Sequence, residues 1–138
     1  MNNTNNSNCD GIRDILKTIL ILQKETNIPG VCLDACDKRS LGNLPDVCSY
    51  NTRPITMYLC GCCNTRLEMP TTRNPFDTTT SPVFRIEKLD EDTATFRVLI
   101  ASLDGDTVTY TSTNSFFTVD IDCICVLKCL GDTLVESL

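Results

Sequence analysis

The chain has 138 residues, of which 10 are cysteine and none histidine; 41% are hydrophobic and the formal net charge is −6. A globular chain of this length is one domain in the simplest case and buries roughly 65–70% of its unfolded surface, enough to fold without covalent staples, so the thiols must serve metal binding, redox chemistry or cross-links between chains. Singly scattered Arg and Lys make no basic stripe for nucleic acid and no basic helix for a membrane surface, so neither is an expected partner.

Residues 1–8 are Asn-rich and uncharged, with no apolar segment. They read as a disordered arm and not as a secretory signal. The apolar run 15–22 is short and interrupted, unsuited to crossing a bilayer. Synthesis in a reducing cytosol is therefore expected, with oxidation coming later. Ser7-Asn8-Cys9-Asp10 has the form of a capping box, predicting a helix over about 9–25. On a helical wheel Ile12, Ile15, Leu16, Ile19, Leu20 and Leu22 share one arc, with Arg13, Asp14, Lys17, Thr18, Lys24 and Glu25 opposite. Ile21 falls among the polar residues, either as a contact to a neighbouring subunit or as a lone exposed side chain. Asn27 and Pro29 end the helix.

A loop-like stretch, 30–51, carries Cys32, Cys36 and Cys48. Thereafter the period changes to two, predicting strands over 53–60, 83–89, 93–102, 107–112 and 116–129. Asp90-Glu91-Asp92 and Asp104-Gly105-Asp106 stand where hairpin turns belong, and 71–81 reads as a Thr/Pro loop. A β-rich part over 52–130 and a short tail over 131–138 complete a single domain, 9–138. The expected fold is mainly β: an antiparallel sandwich or small barrel preceded by one amphipathic helix.

In a continuous strand 116–129, Phe117, Val119, Ile121, Cys123, Cys125, Leu127 and Cys129 share a face. These thiols are expected to point inward or to pair within the subunit, as is Cys48. Cys123 and Cys125 are too far apart along a strand to pair with each other. Cys60, Cys62 and Cys63 cluster at a strand end and face two ways, which suits cross-links to two neighbours or, alternatively, a local staple. Cys9, in the first helical turn where the helix dipole favours thiolate, follows an arm that could reach another subunit. Cys32 and Cys36, in a polar loop, are the most exposed pair. Cys9, Cys32, Cys36, Cys60, Cys62 and Cys63 are thus the candidate intersubunit disulfide positions.

Zinc sites favour paired cysteine knuckles, often with His. Cys32-x3-Cys36 and Cys60-x-Cys62 have tolerable spacing, but the strand cysteines fit poorly, and no metal or other cofactor is expected. A zinc-stabilised adaptor linking other proteins is the alternative. No Cys-x-x-Cys occurs, and without His there is no His-based triad. Asp90, Asp92, Asp104 and Asp106 lack the spacing of a calcium loop. No catalytic residue is expected.

Three stretches carry a resemblance. They are Asn51-Thr52-Arg53-Pro54 followed by Tyr58; Ser81-Pro82-Val83-Phe84-Arg85-Ile86-Glu87 continuing to Arg97-Val98-Leu99; and Thr118-Val119-Asp120-Ile121-Asp122-Cys123-Ile124-Cys125 with Cys129-Leu130. Together they resemble the CotY/CotZ/ExsY-type spore coat and exosporium proteins of spore-forming bacilli, from about residue 51 onward, the closing block being the most specific part. The resemblance implies a structural protein made in the mother cell and deposited on the spore surface. It further implies self-assembly into rings, hexameric in expectation, and a two-dimensional lattice fixed by disulfides, with other coat or exosporium proteins as partners. Only Cys123, Cys125 and Cys129 match by position. The segment 103–115 is shorter than in such relatives, and the Cys60-Cys62-Cys63 cluster is not one of their features.

Overall fold

A computed structural model of the chain describes residues 10–25, 50–61, 65–136 and 138. Helix α1 (Asp10–Glu25) buries Leu16, Ile19 and Gln23, a stripe at i, i+3 and i+7. Ile12 and Leu20 flank it, partly buried. Ile15 is exposed although the wheel predicts it inside. The helix packs mainly on one strand, too narrow a support to cover the whole arc. Arg13 donates to the Asp90 and Glu91 carbonyls, tying the first turns of α1 to a hairpin turn. The capping-box residues Ser7, Asn8 and Cys9 lie outside the described residues, as do Asn27 and Pro29.

The strands are β1 (Ile55–Leu59), β2 (Met69–Pro70), β3 (Thr80–Ser81), β4 (Val83–Leu89), β5 (Thr93–Asp104), β6 (Thr107–Asp120) and β7 (Ile124–Cys129). Five form an antiparallel sheet in the order β6-β5-β4-β1-β7, and β2 and β3 form a separate ribbon. The expected class, mainly β and antiparallel with one N-terminal helix, is what the chain adopts. Both acidic turns close hairpins, and Gly105 there has φ +65°, where a Cβ is strained. The stretches 107–112 and 116–120, expected as parts of separate strands, belong to one strand, β6. A bulge at 113–115 joins them: Thr113 donates to the Val98 carbonyl and accepts from the Ser115 N–H. The end of the stretch read as loop, 71–81, is β3, which pairs with β2 just before that stretch.

One face of the sheet meets α1. Phe84, Ile86, Phe96, Val98, Ile55 and Met57 pack there against Leu16 and Ile19, with Ile121 and Ile124 closing the end. Phe84 meets Phe117 edge-on at 4.8 Å between centroids, a favourable aromatic arrangement. On the other face a chain of charges runs Arg85–Glu87–Arg97 at 2.8 and 2.9 Å. Beside it Val83, Leu99 and Val135 form a smaller core. Val135 reaches it because Asn51 holds the C-terminal segment through both its Oδ1 and Nδ2.

The seam between β1 and β4 depends on α1. The two strands pair only at Ile55↔Phe84. Continuing that register by two residues would set Arg53 opposite Ile86. Instead the Gln23 amide stands between them, donating to the Ile86 carbonyl at 2.9 Å and accepting from the Arg53 N–H at 3.1 Å. Gln23 is 3% exposed, so its removal leaves two backbone groups without their partner in a buried seam. Gln23→Ala is therefore expected to cost about 3 kcal/mol, read as a lowered denaturant midpoint at unchanged slope. Leu16→Ala, a cavity in the main core, is expected to cost about 2–5 kcal/mol.

Candidate functional site

Between β6 and β7 the chain makes a short 3-10 turn, Ile121–Cys123. Asp120 causes it, accepting the Asp122 N–H on its side chain, the local capping that Asp favours over a continuing strand. The turn changes the side-chain period from two to three, so Ile121 and Ile124 enter the core. Cys123 and Cys125 are thereby turned out. All three of Cys123, Cys125 and Cys129 are exposed, so none points inward; of the two outcomes expected for them, Cys125 adopts the other, pairing within the subunit, and Cys123 and Cys129 adopt neither.

A bulge then completes the arrangement. Tyr58 pairs with Val126 and Leu59 with Ile124, which leaves Cys125 as the extra residue of β7. The Cys60 N–H donates to the Cys123 carbonyl at 2.8 Å, anchoring the end of β1 beside the turn. Cys60 and Cys125 are joined as a disulfide with Cα atoms 5.0 Å apart, inside the usual range. Cys60, expected to link subunits, is thus engaged within its own chain and removed from any Cys60-x-Cys62 knuckle.

Cys123 and Cys129 are free thiols. They stand at the two ends of β7, an edge strand whose outer side no described strand covers. Next to Cys129, Arg53 grips Asp132 through two bonds of 2.6 and 2.9 Å, a bidentate pair that fixes the turn following β7. Partial burial pushes the Cys129 thiol pKa up; Arg53 opposes this and Asp132 adds to it.

A second feature was not legible as a site. The loop between β2 and β3 is closed on itself: Asn74 Oδ1 accepts from the Phe76 N–H, Asp77 Oδ1 from the Thr79 N–H, and Thr72 donates to Asp77 Oδ2. The Thr79 backbone N–H, then the hydroxyls of Thr79 and Thr72, hold the Asp77 carboxyl below its usual pKa. This well-bonded loop carries Phe76 at 88% exposure. Asn74-Pro75 and Asp77 were turn signals available in the sequence.

Ile21 is exposed on α1. Cys9, Cys32, Cys36, Cys48, Cys62 and Cys63 lie outside the described residues. Among the described residues no three Cys, Asp or Glu side chains converge as a metal cage, and no helix is long and apolar enough to cross a membrane.

Two outcomes follow from this geometry. Cys60→Ser with Cys125→Ser removes a link spanning 65 residues, which the chain-entropy account values at up to about 4 kcal/mol. The denaturant midpoint should fall accordingly, compared with the oxidised wild type. At pH 8 Cys129 should be alkylated more slowly than a cysteine in an unstructured peptide, because a raised pKa lowers its thiolate fraction; site-resolved mass spectrometry reads this directly.

A family model described as Spore coat protein Z matches residues 1–112. It takes in α1 and β1 to β5 and stops short of the closing block, 119–129, on which the sequence resemblance is most specific. No curated protein and no solved structure matches the chain.

Proposed function

Because the chain belongs to the spore coat protein Z family, we propose that it is a non-enzymatic building block of the spore's outer layers which assembles with its own copies and is then welded by disulfides. The observation that carries the reading is the pair of exposed thiols, Cys123 and Cys129, set along the open edge of β7. A thiol on an uncovered edge is within reach of another chain, and the neighbouring Cys60–Cys125 bond fixes the geometry from which it reaches.

The mechanism has two stages. Folded subunits first associate non-covalently, head to tail, and such contacts close into rings when the rotation allows; six subunits per ring is the expected number. Contacts between rings then extend a two-dimensional lattice in the coat, crust or exosporium, where other coat proteins attach. Each contact is weak alone, but several per subunit raise the effective concentration of the rest. Once reducing power is lost, each pair of facing thiols gives two electrons and two protons to an oxidant, dioxygen or a low-molecular-weight disulfide that leaves as two thiols, and the cystines so formed convert the reversible array into one that needs both reductant and denaturant to disperse. Candidate welding positions are Cys123 and Cys129, together with Cys9, Cys32, Cys36, Cys62 and Cys63.

Electron microscopy of the full recombinant chain should reveal rings, sheets or tubes under reducing conditions. After oxidation the same material should run as a ladder in non-reducing detergent gels, and Cys123→Ser with Cys129→Ser should weaken that ladder without abolishing the assemblies. Oxidised wild-type protein that remains a dispersed single chain by both methods would overturn the reading.

A further inference from the structure

The hairpin of β5 and β6 extends beyond the body of the molecule. Every residue from Ile100 to Thr109 is exposed, so its outer part rests on neither core. Such a two-stranded ribbon is marginal alone and gains from being covered. One face continues the smaller core outward: Ala101 lies opposite Tyr110 and Leu103 opposite Val108, with Leu103 at 73% exposure. At the tip Asp104 and Asp106 make no ion pair with a described residue.

At the base of the same hairpin lies a surface of opposite character. Between the β2–β3 ribbon and the bulge of β6 runs an open groove of about 540 Å³, lined in part by Met69, Pro70, Phe116 and Arg73. Phe116 is held there by the Arg97 guanidinium, 4.5 Å from its ring centroid. The Ser115 hydroxyl, donating to the Pro70 carbonyl, fixes the groove's floor. Arg73 makes no ion pair with a described residue, and Phe76 stands on the same loop.

An apolar arm with an acidic tip and an apolar groove with a basic rim are complementary, yet one molecule cannot join its own. From Thr107 to Phe116 the strand runs about 30 Å. Resting on the assembly reading above, we propose that the β5–β6 arm of one copy seats in the groove of the next, Leu103 and Val108 on Met69, Pro70 and Phe116, and Asp104 or Asp106 on Arg73. The contact is heterologous, so it propagates into rings or open arrays. It forms before any disulfide and needs none.

The test is sedimentation of the full chain with reductant present. Asp104→Lys with Asp106→Lys disables the arm and leaves the groove intact; Arg73→Glu does the reverse. All three positions are exposed, so folding, checked by circular dichroism, should hold. Each variant alone should self-associate at least about tenfold more weakly than wild type, since like charges then face each other. Their equimolar mixture should regain assembly with the two variants alternating, because the acidic arm of the Arg73→Glu variant meets the intact groove of the other, and the reversed arm and reversed groove are again of opposite charge. Arm variants that assemble like wild type would refute the arm while leaving self-assembly standing. Loss of assembly by the arm variant while Arg73→Glu assembles like wild type would show arm meeting arm, and a melting temperature that falls with Arg73→Glu while association is unchanged would show the groove filled by its own chain; either refutes the proposal, as does a mixture that does not regain assembly. Wild type that assembles only after oxidation refutes it too, and wild type that never assembles removes the underlying reading.

Discussion

The fold turns on a single side chain placed where strand backbone is expected. Gln23 reaches from α1 into the sheet and bonds to each side of the β1–β4 seam, donating to the Ile86 carbonyl and accepting from the Arg53 N–H. Backbone groups in a dry seam must find partners, so the helix is fixed in register with two strands at once, beyond what the non-directional burial of Leu16 and Ile19 can specify. Pro54, buried in the same segment, has no N–H for the seam. β1 meets β4 only at Ile55↔Phe84 and pairs along its length with β7, the thiol-bearing edge, on its other side.

The edge itself is assembled by two local departures from regular strand. The 3-10 turn after Asp120 rotates the alternation, and the bulge at Cys125 restores pairing one residue out of step. Together they bring Cys125 to Cys60 and leave Cys123 and Cys129 in solvent. The chain therefore carries two classes of sulfur among its described residues. One bond is internal and steadies the corner; two thiols remain outside it. This division is what a protein needs if it must fold first and be joined to others afterwards.

Much of this was legible in advance, and the limits have physical causes. The 83–89 run coincides with β4, and the acidic turns at 90–92 and 104–106 close hairpins, because both signals are local. The outward turn of Cys123 was hidden because one hydrogen bond accepted by the Asp120 side chain decides it, and apolar alternation reads through that residue unbroken. No helical or strand pattern marks Gln23, because its role exists only once two distant strands lie beneath it. Ile15 was expected inside because a wheel assumes a support as wide as the arc. The β2–β3 ribbon is two residues per strand, too short for any period to register. Of the three stretches on which the family resemblance was read, the first two, at 51–58 and 81–99, fall within the family match, and the closing block lies beyond it.

Exposure on an edge gives sulfur access to other chains, and the protein's proposed role rests on that access being used. Chains of natural isotopic abundance and chains uniformly labelled with nitrogen-15 can be mixed while reduced, allowed to assemble, oxidised, digested without reductant and weighed as disulfide-linked peptides. Pairs containing Cys123 or Cys129 should appear with one light and one heavy partner, while the Cys60–Cys125 pair should stay isotopically uniform. If every cystine joined peptides of the same label, no sulfur would link two molecules, and the account of a welded assembly would be contradicted.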